Sequence, residues 1–166
     1  APVVLRGALE QGAEGLSVDI EELKATPRGL PLSLGSASSV EVVDGGVRIG
    51  ETVISAGSGR VTLSGTVGEQ LDLTANIENL PASLAATFAP ALAPEGTISG
   101  TVDVSGTTAA PIASYDLNWQ NAAIAQTRAA GLAPLGITAN GRFENQTLTL
   151  DSRINGGGIG LTANGR

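Results

Sequence analysis

From residue 61 onward the chain alternates apolar and polar residues with a period of two. Val61, Leu63, Gly65 and Val67 fall on one side of the repeat, and Thr62, Ser64 and Thr66 on the other. This spacing predicts a half-buried strand, because successive side chains of an extended chain point to opposite faces. The pattern then recurs. Leu71, Leu73, Ala75 and Ile77 oppose Asp72, Thr74, Asn76 and Glu78; Ile98, Gly100, Val102 and Val104 oppose Thr97, Ser99, Thr101 and Asp103. Further on, Tyr115, Leu117 and Trp119 oppose Asp116, Asn118 and Gln120, and Ile137, Ala139, Gly141 and Phe143 oppose Thr138, Asn140 and Arg142. Leu148, Leu150 and Ile154 oppose Thr149, Asp151 and Arg153. One face of each run is apolar and the other polar.

Turn residues separate these runs. Asp44-Gly45-Gly46 lies between Val40–Val43 and Val47–Ile49, a hairpin signal because Asp and Gly tolerate positive φ. Gly68-Glu69-Gln70, Glu144-Asn145-Gln146, Gly57-Ser58-Gly59 and Gly156-Gly157-Gly158 occupy equivalent places. Residues 1–59 read less regularly: Leu16, Val18 and Ile20 alternate, and Glu22-Leu23 shifts the phase, which predicts a bulge. One short helix is predicted near Leu80–Ala89, capped by Asn79, started by Pro81, with Leu84 and Phe88 on one face and Pro90 ending it.

Internal repetition adds a second signal. Ser64-Gly65-Thr66-Val67 recurs as Ser99-Gly100-Thr101-Val102. Ile137-Thr138-Ala139-Asn140-Gly141-Arg142 recurs as Leu161-Thr162-Ala163-Asn164-Gly165-Arg166, with Leu73-Thr74-Ala75-Asn76 as a shorter echo. The spacings of 35, 24 and 64 are unequal, which favours a meander of similar hairpins over a strict solenoid. The pattern breaks off inside a strand at Arg166, as expected of a segment cut from a longer protein. The expectation is a single all-β unit over 1–166, a curved and mostly antiparallel sheet with one short helix.

Composition narrows the chemistry. Apolar residues make up 42% but aromatics only 2%, so the apolar face must be built from Val, Leu, Ile and Ala. The 23 glycines are about twice the usual share of roughly 7%, which suits many tight turns. There is no Cys and no His, which removes Cys/His metal sites, Cys nucleophiles and the Ser-His-Asp triad. The sole lysine, Lys24, follows Leu23, so the Gly-Lys-Ser/Thr phosphate loop is absent as well. Sixteen acidic against nine basic residues give a net charge of -7, a balance that repels nucleic acid. No catalytic site, cofactor or metal is expected. No signal peptide or membrane span is visible either, since Leu80–Pro94 is interrupted by Pro81 and Pro90.

The run from Leu80-Pro81-Ala82-Ser83-Leu84 through Phe88-Ala89-Pro90, followed by Glu95-Gly96-Thr97-Ile98-Ser99-Gly100-Thr101-Val102-Asp103-Val104-Ser105-Gly106 and the corner Ala109-Ala110-Pro111, resembles the repeating segment of the TamB family, relatives of AsmA. Ala113–Leu117 and Ala133–Leu150 continue the likeness, which covers residues 60–166. The resemblance implies a periplasmic segment of a long protein anchored in the inner membrane of a Gram-negative bacterium. It also implies a U-shaped sheet, the β-taco, whose apolar groove carries phospholipid between the two membranes and supports outer-membrane biogenesis. The partner so implied is an Omp85-class outer-membrane barrel, met by regions of the full-length protein outside this chain.

The residues on the apolar side of the period are then the expected groove lining: Val61, Leu63, Val67, Leu71, Leu73, Ile77, Ile98, Val102, Val104, Tyr115, Leu117, Trp119, Ile137, Phe143, Leu148, Leu150 and Ile154. Packed sheets sit roughly 10 Å apart with interdigitated side chains. Short aliphatic residues on a curved sheet leave room for an acyl chain, each buried methylene of which is worth about 0.8 kcal/mol. The alternative is a closed sandwich core in a surface adhesin or scaffold. A third class, a carbohydrate-active β-helix, rests on Asp19 and Glu21, which a strand places about 7 Å apart, within the range of an inverting carboxylate pair. No aromatic sugar platform accompanies them, so a solvated outer face is favoured. Asn145-Gln146-Thr147 matches a glycosylation acceptor but falls where a turn already calls for Asn.

Overall fold

The alternating runs pair into a meander. A computed structural model describes residues 3–12, 15–26, 31–87, 89–156 and 159–165, and shows one curved antiparallel sheet of 12 strands. In chain order these are β1 (Val3–Gly12), β2 (Gly15–Ala25), β3 (Leu32–Leu34), β4 (Ser38–Val43), β5 (Gly46–Ala56) and β6 (Gly59–Gly68). They continue as β7 (Gln70–Pro81), β8 (Glu95–Thr107), β9 (Pro111–Ala123), β10 (Leu135–Glu144), β11 (Thr147–Gly156) and β12 (Ile159–Gly165). From β5 to β12 each strand pairs with the next, so the all-β antiparallel expectation holds. Before β5 the meander is interrupted: β3 and β4 lie end to end between β2 and β5, each pairing with both.

The expected turns fall into place where the described residues reach them. Asp44-Gly45 joins β4 to β5, Gly57-Ser58 joins β5 to β6, and Glu69 alone separates β6 from β7. Asn145 and Gln146 join β10 to β11 with φ of 52° and 60°, the left-handed pair that matches the twist of a two-residue hairpin. Gly157 and Gly158 of the predicted glycine turn lie outside the described residues, as do Phe88 and Arg166.

Bulges bend the sheet. The predicted phase shift in β2 is one, since Arg6 pairs with Glu22 and Gly7 with Ile20, leaving Glu21 as the extra residue. Three more fall in β5 at Gly50-Glu51, in β7 at Glu78-Asn79 and in β9 around Asn121, which is left unpaired against both β8 and β10. Asn79 and Asn121 take positive φ of 48° and 52° there, which Asn accepts more readily than most side chains. An extra residue on one strand increases local twist, and placing bulges on β5, β7 and β9, which run in the same direction, repeats that curvature across the sheet.

The predicted helix changes its place and its kind. Leu80 and Pro81 finish β7, and Asn79 is a bulge residue whose backbone N–H donates to Ser99 Oγ at 2.9 Å rather than a helix cap. The following Ala82–Thr87 and Pro90–Leu92 form 3₁₀ turns. Pro90 stops any helix that starts after Pro81, because its ring disfavours helical backbone at the residue before it and it has no N–H to continue the ladder, and 3₁₀ turns are the short alternative. Among the described residues the α-helix is α1 (Ala125–Ala129), between β9 and β10. Because β7 and β9 run alike, all these turns stand at one end of the strands, with the β5–β6 turn. The other end carries tight hairpins.

Among the described residues no second layer covers the sheet. The accessible surface is 10208 Å², against about 7,600 Å² for a compact monomer of this mass. Among the described residues the buried apolar ones are Ala56, Ala82, Ala122 and Ala123, and no large side chain is fully buried. A closed sandwich core would enclose Leu, Ile and Val completely. Here they remain half-buried.

Candidate functional site

Directly opposed residues in an antiparallel sheet share a face, so register alone fixes which side each residue takes. Val61, Leu63 and Val67 of β6 pair with Ile77, Ala75 and Leu71 of β7. Leu73 and Ala75 pair with Val104 and Val102 of β8, and Leu80 with Ile98 beyond the bulge. Ile98, Gly100 and Val102 meet Trp119, Leu117 and Tyr115 of β9. Ile137 and Phe143 of β10 lie opposite Trp119 and Ala113 on one side. On the other side they lie opposite Ile154 and Leu148, and Gly141 lies opposite Leu150. All of the predicted lining residues therefore stand on one continuous face. Thr62, Thr101 and Thr149 stand on the other.

Every charged residue in the strand pairing also lies on that other face. Arg6 is opposite Glu22, Arg48 opposite Glu41 and Arg60 opposite Glu78, each within salt-bridge distance at 3.5, 3.5 and 2.5 Å. Lys24 Nζ donates to Glu22 Oε1 at 2.5 Å; this bond, then the charges of Lys24 and Arg6, hold the Glu22 carboxyl below its usual range. Asp19 is on the same polar face, opposite Ala8 and Ser39, and Glu21 is the bulged residue of β2. The two carboxylates thus sit on the polar side of a bulged strand, with no aromatic residue opposite either. Among the described residues no cluster of His, Cys, Asp and Glu could hold a metal ion.

The apolar face is uneven in height. Gly100 sits between Ile77 and Leu117, and Gly141 between Tyr115 and Leu150. A Cβ on Gly141 would lie 2.5 Å from Tyr115 Oη, so the tyrosine ring lies across the glycine. At Gly100 the backbone takes φ of +148° and a Cβ would press on the Asp116 carbonyl oxygen, which leaves glycine as the fitting residue. Large side chains flanked by glycines leave dips in the surface between them. At β4 and β5 the polar atoms on this face are paired among themselves: the Ser38 and Thr52 hydroxyls bond each other, and Thr52 Oγ1 donates to the Gly50 carbonyl at 3.0 Å.

The face runs further than the sequence reading placed it. Val47, Ile49 and Ile54 of β5 lie opposite Val67, Gly65 and Val61, and Val40 links Ile49 to Val18 of β2. The missed signal in β5 is split by its bulge, which moves the apolar phase from Val47 and Ile49 to Ile54. At the edges the face opens outward: Leu9 is 67% exposed in β1, Leu148 49% in β11 and Leu161 58% in β12.

The helical end closes one side of this surface. Trp119 Nε1 donates to the Glu95 carbonyl at 2.9 Å. Arg128 of α1 bridges to Glu95 Oε1 at 3.1 Å and donates to the Ala93 carbonyl at 3.0 Å. These bonds hold α1 against the connection that precedes β8. No helix among the described residues is long and apolar enough to cross a membrane. Comparison with protein-family models, with curated proteins and with solved structures returns no match.

Proposed function

We propose that this chain is a segment of a lipid conduit of the TamB type, holding phospholipid acyl chains against its apolar face within the periplasm and doing no covalent chemistry. The observation that supports the reading best is the continuous, charge-free apolar face from β2 to β12, over which no layer lies among the described residues. Neighbouring strands are about 4.8 Å apart, so the strand positions span about 50 Å along the ladder. A bilayer core of about 30 Å holds two acyl chains end to end, so such a trough has room for about three in line. Each methylene gains about 0.8 kcal/mol on leaving water, and an apolar face that continues from strand to strand returns that gain along its length. A lipid then slides without meeting a deep trap. Delivery to an Omp85-class barrel would fall to regions outside this chain.

Native mass spectrometry of the purified chain after exposure to phospholipid vesicles tests this. Retained phospholipid is expected, and its loss when Val102→Asp is introduced ties it to the face. A chain that emerges without lipid at every lipid-to-protein ratio contradicts the conduit and favours a scaffold.

A further inference from the structure

Across the strands, the apolar face falls into rows of opposed residues. From β9 to β11 the outer rows are large: Trp119, Ile137 and Ile154 stand towards the capped end, Phe143 and Leu148 towards the hairpins. Between them the side chains shrink. Ala139 lies opposite Ser152, and in the neighbouring row Tyr115 and Leu150 face each other across Gly141. The tyrosine ring leans over that glycine, which brings its hydroxyl towards the middle of the depression.

Two hydroxyls therefore stand in an otherwise apolar hollow. Those of Ser38 and Thr52, elsewhere on the face, bond each other. Tyr115 Oη and Ser152 Oγ enter no hydrogen bond among the described residues, where every buried side-chain oxygen and nitrogen has a partner, so both open onto the trough. In water each is hydrated. An acyl chain laid over the hollow strips that water and supplies no acceptor, which leaves the hydroxyls unpaired at a cost. A phospholipid carries its acceptors at the phosphate and at the ester carbonyls where chains and headgroup join. The phosphate is charged and stays in water, whereas an ester is neutral and is brought onto an apolar face at far smaller cost.

Resting on the lipid-conduit reading, we propose that Tyr115 and Ser152 form a seat for the ester linkages of a diacyl lipid, each hydroxyl donating to one ester carbonyl while the acyl chains follow the apolar rows. Gly141, under the Tyr115 hydroxyl, and Ser152 are diagonal neighbours on paired strands, about 7–8 Å apart. The esters on adjacent carbons of one glycerol bridge that spacing with a hydrogen bond at each end. Ala139 and Gly141 leave room beneath the glycerol, and the larger rows on either side keep it in place. A single hydrogen bond changes affinity about two- to tenfold, so the seat is a shallow stop that a moving lipid leaves again.

The test uses vesicles holding equal amounts of dioleoyl phosphatidylcholine and its dioleyl ether counterpart, which has the same headgroup and chain length but no ester carbonyl. Native mass spectrometry of the whole chain after exposure reads the ratio of the two lipids retained. The native chain is expected to favour the ester lipid about two- to tenfold or more. Tyr115→Phe, which removes only the hydroxyl, is expected to bring the ratio close to one while lipid is still retained, and Ser152→Ala to lower it in part, with circular dichroism unchanged in both. Equal retention of the two lipids by the native chain, or an unaltered ratio in Tyr115→Phe, overturns the seat and leaves the conduit standing. Retention of neither lipid overturns both.

Discussion

The trough and the capped end of the sheet bury different things. At the capped end, where the 3₁₀ turns and α1 stand, Ala56, Ala82, Ala122 and Ala123 are almost inaccessible, at 4%, 1%, 3% and 6% exposure. Along the trough, the larger Leu, Ile and Val side chains stay half-buried, and Leu148 reaches 49%. In a self-sufficient core the ranking runs the other way, since large apolar side chains gain most from burial. The tight packing thus fixes the shape of one rim, and the apolar surface that yields most free energy on burial is left available for something else.

A charge separates the two regions most sharply. Ala122→Asp at the capped end buries an unpaired carboxylate and is expected to destabilise the chain by about 3–5 kcal/mol, enough to unfold it. Chemical denaturation reads this directly. Val102→Asp in the middle of the trough is expected to cost about 1 kcal/mol, within the range of side-chain preference in a host strand, because its carboxylate reaches water. Equal destabilisation at both sites would mean that the trough is closed.

A smaller effect is expected where the cap is tied down. Arg128→Ala removes the bridge to Glu95 and the bond to the Ala93 carbonyl, both partly exposed, so a loss of about 0.5 kcal/mol follows. Hydrogen exchange should quicken in α1 and leave β6–β8 unchanged.

The legibility of the chain follows the same division. β6 to β11 were readable because period-two alternation holds over most of each strand, and the β6–β7 and β10–β11 turns carry Gly or Asn. The capped end was not. Pro81 and Asn79 read as helix signals, but a bulge at Glu78-Asn79 carries β7 on to Pro81, the last residue of the strand. The helix α1 gave no warning, being five residues long with Ile124 before it. Its first turn is held by Thr127, whose hydroxyl accepts the Ile124 N–H at 3.0 Å and donates to the Ile124 carbonyl at 2.9 Å. In β5 the bulge at Gly50-Glu51 broke the phase, so Val47, Ile49 and Ile54 escaped the predicted lining. The division of one strand position between β3 and β4 depends on pairing partners distant in sequence, which local periodicity does not carry.

The smallest expected effect lies outside both regions, on the polar face. Glu22 has its carboxyl held low by Lys24 and Arg6 in the folded chain. A carboxylate depressed on folding contributes stability above its unfolded value near 4.5, and that contribution fades as pH falls through the lower folded value. Glu22→Gln should therefore lower stability slightly at neutral pH, lose that difference from the native chain in acid, and leave lipid retention alone. Denaturant titrations of both chains across that pH range read the difference.

Photocrosslinking in cells tests the open trough most directly. Crosslinking residues placed singly at Leu73, Val102 and Leu150 on the apolar face should capture phospholipid, and the same residues at Thr62, Thr101 and Thr149 on the polar face should not. Equal capture on both faces, or none on either, would contradict the account.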